Sequence, residues 1–309
     1  MKVIFMGTPA FALPSLRALV YNKYRVMAVV TQPDKPRGRG RNLAPTPVKE
    51  YALKQGLNCL EPDKLRDPGF LQTVRDLSPS LIVTAAYGKI LPPDLLDIPP
   101  LGCINLHPSL LPLYRGAAPV QRAVMDKAGE TGVTVYVMDE GMDSGDILLQ
   151  EKVPLQKGET AGELMGRLAE KGASTLLKAA ALLAGGKAAP RPQDHRRATY
   201  APPIRREEEL IDWFRDGEAV ASHINGLSPS PGAYGFFRGR RLKVLRALPA
   251  EGSGQAGQVL GLRREGILVA AGSGAVLLCD VRPEGKKTMS AGEFIRGYRP
   301  APGMAFDRS

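Results

Sequence analysis

Residues 3–9, Val3-Ile4-Phe5-Met6-Gly7-Thr8-Pro9, are an apolar run stopped by a turn, and beyond them Phe11, Leu13, Leu16 and Leu19 recur at helical spacing. That order is strand, turn, helix. Residues 26–30 supply a second β-branched run, and residues 81–86, Leu-Ile-Val-Thr-Ala-Ala, are continuously apolar, as suits a strand covered on both faces. Residues 101–106 and 133–138 add two more strands, and residues 48–55 and 117–128 carry helical periodicity between them. Strands alternating with helices predict an α/β domain, a doubly wound parallel sheet, over residues 1–189.

With 309 residues the chain exceeds the length at which one hydrophobic core keeps growing, so a second domain is expected. Gly185-Gly186, Pro190, Pro192 and the polar run 193–199 break the periodicity and predict a linker over residues 190–206. A helix is expected from Glu207 to about Asn225. Past Pro231, five short β runs follow near residues 234–237, 242–245, 258–260, 267–270 and 276–281. They predict a smaller C-terminal β-barrel, OB-like, within residues 207–309.

The formal net charge is +11, from 42 Lys and Arg against 31 Asp and Glu. Residues 221–309 hold 13 of those cations and only 6 of the acids. Charge alone leaves a polyanionic partner and mere solubility equally open. Three cysteines without a CxxC pair argue against a disulfide framework or a thiolate zinc site. The first residues turn polar before a signal peptide could form, and no apolar run reaches the length of a membrane span, so the expected compartment is the cytoplasm, with no membrane partner. No obligate protein partner is evident.

Chemistry concentrates between Cys103 and Asp146. On a strand through residues 101–107, Asn105 and His107 point the same way, because the side-chain period is two. In a doubly wound sheet the carboxyl ends of the strands are where ligands bind. The pair reads as a site, or as a histidine capping the turn before Pro108. Asp143 lies 36 residues beyond His107, enough for a helix and one further strand, and is expected at the same edge of the sheet. Its setting, Gly141-Met142-Asp143-Ser144-Gly145-Asp146, is equally turn chemistry. The acids Asp139, Glu140, Asp143 and Asp146 lack EF-hand order and a companion histidine pair, so no metal is expected. GxSxG, HExxH, Walker and GxGxxG motifs are absent. His195 and His223 read as structural or surface residues rather than ligands. The stretch from Lys35 to Arg41 carries four cations, including Arg37, Arg39 and Arg41, among Gly and Pro, and predicts a flexible exposed loop able to grip phosphates. Arg238, Arg240, Arg241, Lys243 and Arg246 are its expected counterpart in the second domain.

Several motifs together carry a resemblance. Residues 105–112 (Asn-Leu-His-Pro-Ser-Leu-Leu-Pro), 114–119 (Tyr-Arg-Gly-Ala-Ala-Pro), 130–134 (Glu-Thr-Gly-Val-Thr) and 142–147 (Met-Asp-Ser-Gly-Asp-Ile) closely resemble the folate-dependent formyltransferases. The opening residues 5–9, the loop from Thr31 to Gly40 and the tail residues 285–290 look like the branch of that family acting on methionyl-tRNA. The resemblance implies a Rossmann-like catalytic domain, a C-terminal barrel holding tRNA, and formyl transfer from 10-formyltetrahydrofolate to the amino group of methionyl initiator tRNA. Carried over by motif, Asn105, His107 and Asp143 are the implied catalytic set. Ser109, Leu110, Leu111 and Pro112 are the implied folate-binding residues, and Arg39, with its neighbours Arg37 and Arg41, is placed to reach the tRNA. No metal is implied. A small-molecule formyltransferase and a tRNA-binding protein with a vestigial catalytic domain are the competing readings.

Overall fold

A computed structural model describes residues 1–37 and 42–307. The chain divides into two compact units: one comprises Met1–Pro119, Glu130–Val153 and Met165–Ala201, the other Val120–Gly129, Pro154–Leu164 and Pro202 onward.

In the first unit, β1 (Lys2–Gly7) leads through a 3-10 turn into α1 (Leu13–Tyr21), the strand-turn-helix expected from its sequence. There follow β2 (Arg25–Val30), the short β3 (Lys35–Arg37) and β4 (Asn42–Ala44), α2 (Pro47–Lys54), β5 (Cys59–Leu60), α3 (Pro68–Leu77), β6 (Leu81–Ala85), α4 (Pro93–Leu96) and β7 (Cys103–His107). Helix starts are written locally: the Thr46 and Asp67 side chains accept the backbone N–H of Lys49 and Phe70, each followed by proline in the first turn. The chain continues through β8 (Arg115–Gly116), α5 (Pro119–Met125), β9 (Glu130–Val137), β10 (Ile147–Pro154), the long α6 (Ala161–Ala184) and β11 (Tyr200–Ala201).

The main sheet has the order β10-β9-β7-β6-β1-β2-β5. Its core, β5-β2-β1-β6-β7, is parallel, as expected. Strand order reverses between β1 and β6, which opens a crevice at their carboxyl ends. There the Gly7-Thr8-Pro9 turn meets the loops after β2 and β6: Gln32 Nε2 donates to the Tyr87 carbonyl at 2.8 Å. At the other side the sheet departs from the all-parallel expectation. β9 pairs antiparallel with β7, with His107 opposite Thr134 and Asn105 opposite Tyr136.

Two other expectations are corrected. β3 pairs antiparallel with β4, so residues 35–37 are not part of a structureless loop; their backbone groups find partners in residues 42–44, and Pro36 is tolerated because a two-stranded ribbon leaves one side unpaired. Arg39 and Arg41 lie outside the described residues. In the second unit the helix expected from Glu207 begins ten residues later, as α7 (Gly217–Gly226), because the Asp216 side chain caps it by accepting the Ala219 N–H. Before it, residues 206–209 form a 3-10 turn and Ile211 N–H donates to the Tyr234 carbonyl.

The five expected β runs are β12 (Ala233–Phe237), β13 (Arg240–Ala250), β14 (Val259–Leu262), β15 (Ile267–Ala270) and β16 (Ala275–Pro283), followed by β17 (Met289–Ser290) and α8 (Ala291–Tyr298). They form an antiparallel sheet ordered β12-β13-β16-β15-β14. Its two edges are joined through the chain's end: Phe306 N–H donates to the Gly257 carbonyl and Asp307 N–H to the Phe236 carbonyl, which closes the sheet into a barrel. Phe306 packs between Trp213 and Phe237 in the core of this unit, its ring tilted against both with centroids 4.7 and 5.4 Å away. No helix among the described residues is long and apolar enough to cross a membrane.

Within the second unit Arg122 forms a two-pronged pair with Glu208, whose Oε2 also accepts the Arg205 N–H at 2.8 Å. The Arg122 guanidinium holds the Glu208 carboxyl at about 2, down from an ordinary 4.5. A lowered folded-state value means the stabilisation is complete above pH 4.5 and is lost as pH falls toward 2. Glu208→Gln is therefore expected to lower the melting temperature at neutral pH and to flatten its decline between those two values, measured by thermal unfolding across pH; an unchanged acid decline would contradict the assignment.

Candidate active site

Side chains on one face of three neighbouring strands build the site. Register alone places Thr84 of β6, Asn105 and His107 of β7, and Thr134 and Tyr136 of β9 on that face. The opposite face, with Ile104, Leu106, Val133 and Val135, is fully buried and apolar. A polar face this deep is stable only if its groups pair with one another, and they do.

Thr84 Oγ1 donates to Asn105 Oδ1 at 2.6 Å, and Asn105 Nδ2 donates to the Tyr136 hydroxyl at 3.2 Å. That hydroxyl donates in turn to Asp143 Oδ1 at 2.8 Å. Asp143 Oδ2 accepts the Gly116 N–H at 2.8 Å and lies 3.6 Å from His107 Nδ1. The other ring nitrogen, Nε2, sits 3.0 Å from the Tyr114 carbonyl, which can only accept, so Nε2 carries a proton. Asn105 has a second amide hydrogen with no partner among the described residues. Burial, reinforced by the Asp143 charge, pushes the Tyr136 hydroxyl well above the usual phenol range, so it remains a donor.

Asp143 reaches this cluster by a route that sequence spacing misjudges. Because β9 runs antiparallel to β7, its carboxyl end lies beside the start of β7, where Met138 N–H donates to the Cys103 carbonyl. The loop 138–146 then folds back over the polar face toward His107. Asp143 adopts a left-handed backbone, φ 53°, an uncommon state of the kind that gathers at functional sites. Gly145 is required for the turn: a Cβ there would stand 1.8 Å from the Val137 carbonyl. Gly116, whose N–H holds Asp143, sits at φ 119° with room only for glycine beside the Ala201 carbonyl.

Residues expected in a linker brace the loop. Gln193 Nε2 donates to the carbonyls of Asp143 and Gly145 at 2.9 and 2.7 Å, while its Oε1 accepts from Arg115 Nη2 at 2.6 Å. Arg115 also donates to His195 Nδ1 at 3.1 Å, a structural role for that histidine. Tyr136, Thr84, Arg115 and Gln193 were missed by sequence reasoning. For Tyr136 a signal existed, the polar Thr134 and Tyr136 at period two in an apolar strand; for Gln193, 78 residues from Arg115, there was none.

The implied folate segment is itself ordered from within. Ser109 is fully buried, its hydroxyl donating to the Leu113 carbonyl and its own carbonyl accepting from Thr134 Oγ1. Leu111 is buried against Tyr136 and Ile147, its carbonyl accepting from Gln150, so Leu110 and Pro112 are the partly exposed members. In the second unit four of the expected cations are engaged internally: Arg238 with the Tyr298 and Arg299 carbonyls, Arg241 with Glu209, Lys243 with the Pro231 carbonyl, and Arg246 with Glu163 and Asp280. Among the described residues no group of three or more His, Cys, Asp or Glu could hold a metal ion.

The sequence profile described as Formyl transferase matches residues 1–180, and that described as Formyl transferase, C-terminal domain, matches residues 203–299. The methionyl-tRNA formyltransferase of Moorella thermoacetica is 49% identical, covering 98% of both chains. The chain belongs to the methionyl-tRNA formyltransferase family. Its member from Syntrophus aciditrophicus is 48% identical over 98% of this chain and 97% of its own. Among solved structures, HypX from Aquifex aeolicus in complex with tetrahydrofolic acid superposes with a TM-score of 0.65 at 19% identity, over all of this chain and 51% of that one. An N-formyltransferase from Helicobacter canadensis gives 0.68 at 16%, over 90% and 98%. At those identities the two structures speak for the fold alone.

Gln193→Ala leaves the Arg115 guanidinium and two loop carbonyls without their partners. The expected result is a loss of about 2–4 kcal/mol in chemical denaturation together with reduced turnover, because Asp143 is no longer held. Parental stability would show that the brace contributes nothing.

Proposed function

We propose that Asn105, His107 and Asp143 carry out the family's reaction in this chain: transfer of the formyl group of 10-formyltetrahydrofolate to the α-amino group of methionyl initiator tRNA. The observation that carries the reading is the continuous hydrogen-bonded chain from Asn105 to Asp143 with one amide hydrogen of Asn105 left over.

The amine needs no covalent enzyme nucleophile, since an aminoacyl amine titrates at or below the roughly 7.7–8.0 of a free α-amino group and is partly neutral at pH 7. Its nitrogen attacks the formyl carbon, the carbonyl π electrons move to oxygen, and the remaining Asn105 N–H donates to that oxyanion. One such donor is worth on the order of 100- to 1000-fold. His107 has its Nε2 proton committed to Tyr114, so it serves better as acceptor than as a second oxyanion donor. Nδ1 takes the proton the amine sheds, and the imidazolium so formed is held between the Tyr114 carbonyl and the Asp143 carboxylate. The 3.6 Å gap to Asp143 shortens as that charge appears. Collapse of the oxyanion breaks the bond from the formyl carbon to the folate N10, which leaves with a proton returned from the same pair.

The folate docks along residues 109–112, with Leu110 and Pro112 as the side chains it meets. Residues 1–189 hold the transfer chemistry with 190–206 as their brace, and residues 207–309 hold the tRNA. Arg37, Arg39 and Arg41 grip the acceptor end. The protein works in the cytoplasm, where charged tRNA is found, without an obligate protein partner.

Incubation with 10-formyltetrahydrofolate and methionyl initiator tRNA, beside elongator methionyl-tRNA, is expected to give formylated product with the initiator; none from either would sink the reading. Asp143→Asn should cut turnover by roughly 100- to 10,000-fold with folding intact. Arg39→Ala should raise KM for tRNA while folate binding, followed by fluorescence titration, stays at the parental level.

A further inference from the structure

The Tyr136 hydroxyl is hydrogen-bonded to both Asn105 and Asp143, and it is buried with its ring at 3% exposure. The direction of each proton in this chain follows from elementary bonding rules. With Asp143 ionised, Oδ1 can only accept, so the phenol proton lies on the Asp143 side. The phenol oxygen is then left to accept, which forces Asn105 to face it with its NH2 group and to turn Oδ1 toward Thr84. In that orientation the second amide hydrogen is fixed as well.

With Asp143 protonated the order reverses. The carboxyl O–H donates to the phenol oxygen, the phenol proton turns to Asn105, and the amide meets it with Oδ1 only after a flip. Thr84 permits this, because its hydroxyl has a second acceptor within reach, the Ile104 carbonyl at 3.2 Å. The titratable groups facing Asp143 are His107 from β7 at 3.6 Å and Tyr136 from β9, with Asp139 in its own loop; Arg115 reaches that loop only through Gln193.

We propose that Tyr136 is a positioning residue that ties the orientation of the Asn105 amide to the charge on Asp143, so that the oxyanion donor is in place only while the carboxylate is ionised. The proposal rests on the assignment of Asn105 and Asp143 to formyl transfer. Its chemical consequence is that the oxyanion donor and the carboxylate that holds the His107 imidazolium are ready together, and that a site with Asp143 protonated loses both.

Tyr136→Phe keeps the ring and removes only the coupling. Expected is a fall in kcat of roughly 10- to 100-fold, the worth of one hydrogen bond to a charged group, with KM for folate and for tRNA within about twofold and a melting temperature lowered only modestly, as the loss of the hydroxyl's partners requires. Combined with Asn105→Ala, Tyr136→Phe should cost less than about twofold further, because a residue acting through Asn105 has nothing left to act on. A parental kcat, a loss confined to KM, or a loss that multiplies undiminished in the Asn105→Ala background overturns the proposal. Should the phenylalanine variant fail to fold, ring-fluorinated tyrosines at position 136 preserve shape and hydroxyl while changing donor strength: kcat that tracks phenol acidity supports the coupling, and a flat series overturns it. Asn105→Ala and Asp143→Asn alone, in the same assay, separate the two levels. If both retain parental turnover the site assignment itself falls; if both are impaired while Tyr136→Phe is not, only the role of Tyr136 falls.

Discussion

The Asp143 carboxylate, held on one oxygen by the Gly116 N–H and on the other by the Tyr136 hydroxyl, is the interaction on which the arrangement of the site depends. Its holders come from three places: a glycine that alone fits beside Ala201, a tyrosine on the central sheet, and a loop whose backbone is pinned by Gln193. Each is needed because the loop must run back over a strand that carries the chain the other way. Without the left-handed turn at Asp143 and the close approach at Gly145, the carboxylate would stay at the wrong end of β7.

The sheet solves a second problem, that of keeping polar groups buried next to an apolar core. Thr84, Asn105, His107, Thr134 and Tyr136 share one face across β6, β7 and β9, and all but Asn105 are almost entirely buried. A set of this kind is costly if any member lacks a partner, and it specifies a single arrangement when none does. Among the described residues the accounting leaves one amide hydrogen of Asn105 unused, the donor that the proposed mechanism assigns to the oxyanion. The hydrogen bonds that order the face thus also fix, among the described residues, which donor remains open, the Asn105 amide.

The second unit illustrates how charge and structure diverge. The basic excess of its sequence is real, yet Arg241, Lys243 and Arg246 are spent on Glu209, the Pro231 carbonyl, Glu163 and Asp280. The barrel itself is completed by residues 303–307, which pair with both edges and so leave little open backbone for unwanted strand addition.

Much of the fold was legible because it depends on short-range rules. Continuous apolar runs at residues 3–6 and 81–85 became the central parallel strands, and the short runs between 234 and 281 became the barrel within five residues at each end. The motif residues Asn105, His107 and Asp143 do converge. What misled was the direction of β9, since hydrophobic patterning is identical for a parallel and an antiparallel neighbour, and the helix placed at Glu207, where apolar spacing outweighed the capping signal of Asp216 in the reading. The sequence by itself determined most of the strands of the two sheets and brought forward Asn105, His107 and Asp143 as candidates, because periodicity and side-chain chemistry are properties of neighbours along the chain; it did not mark β10. Only the tertiary structure decided that Tyr136 joins Asn105 to Asp143 and that Gln193 braces the loop, because hydrogen bonds between residues 7 to 50 positions apart are set here by sheet register and loop path, which no local pattern encodes.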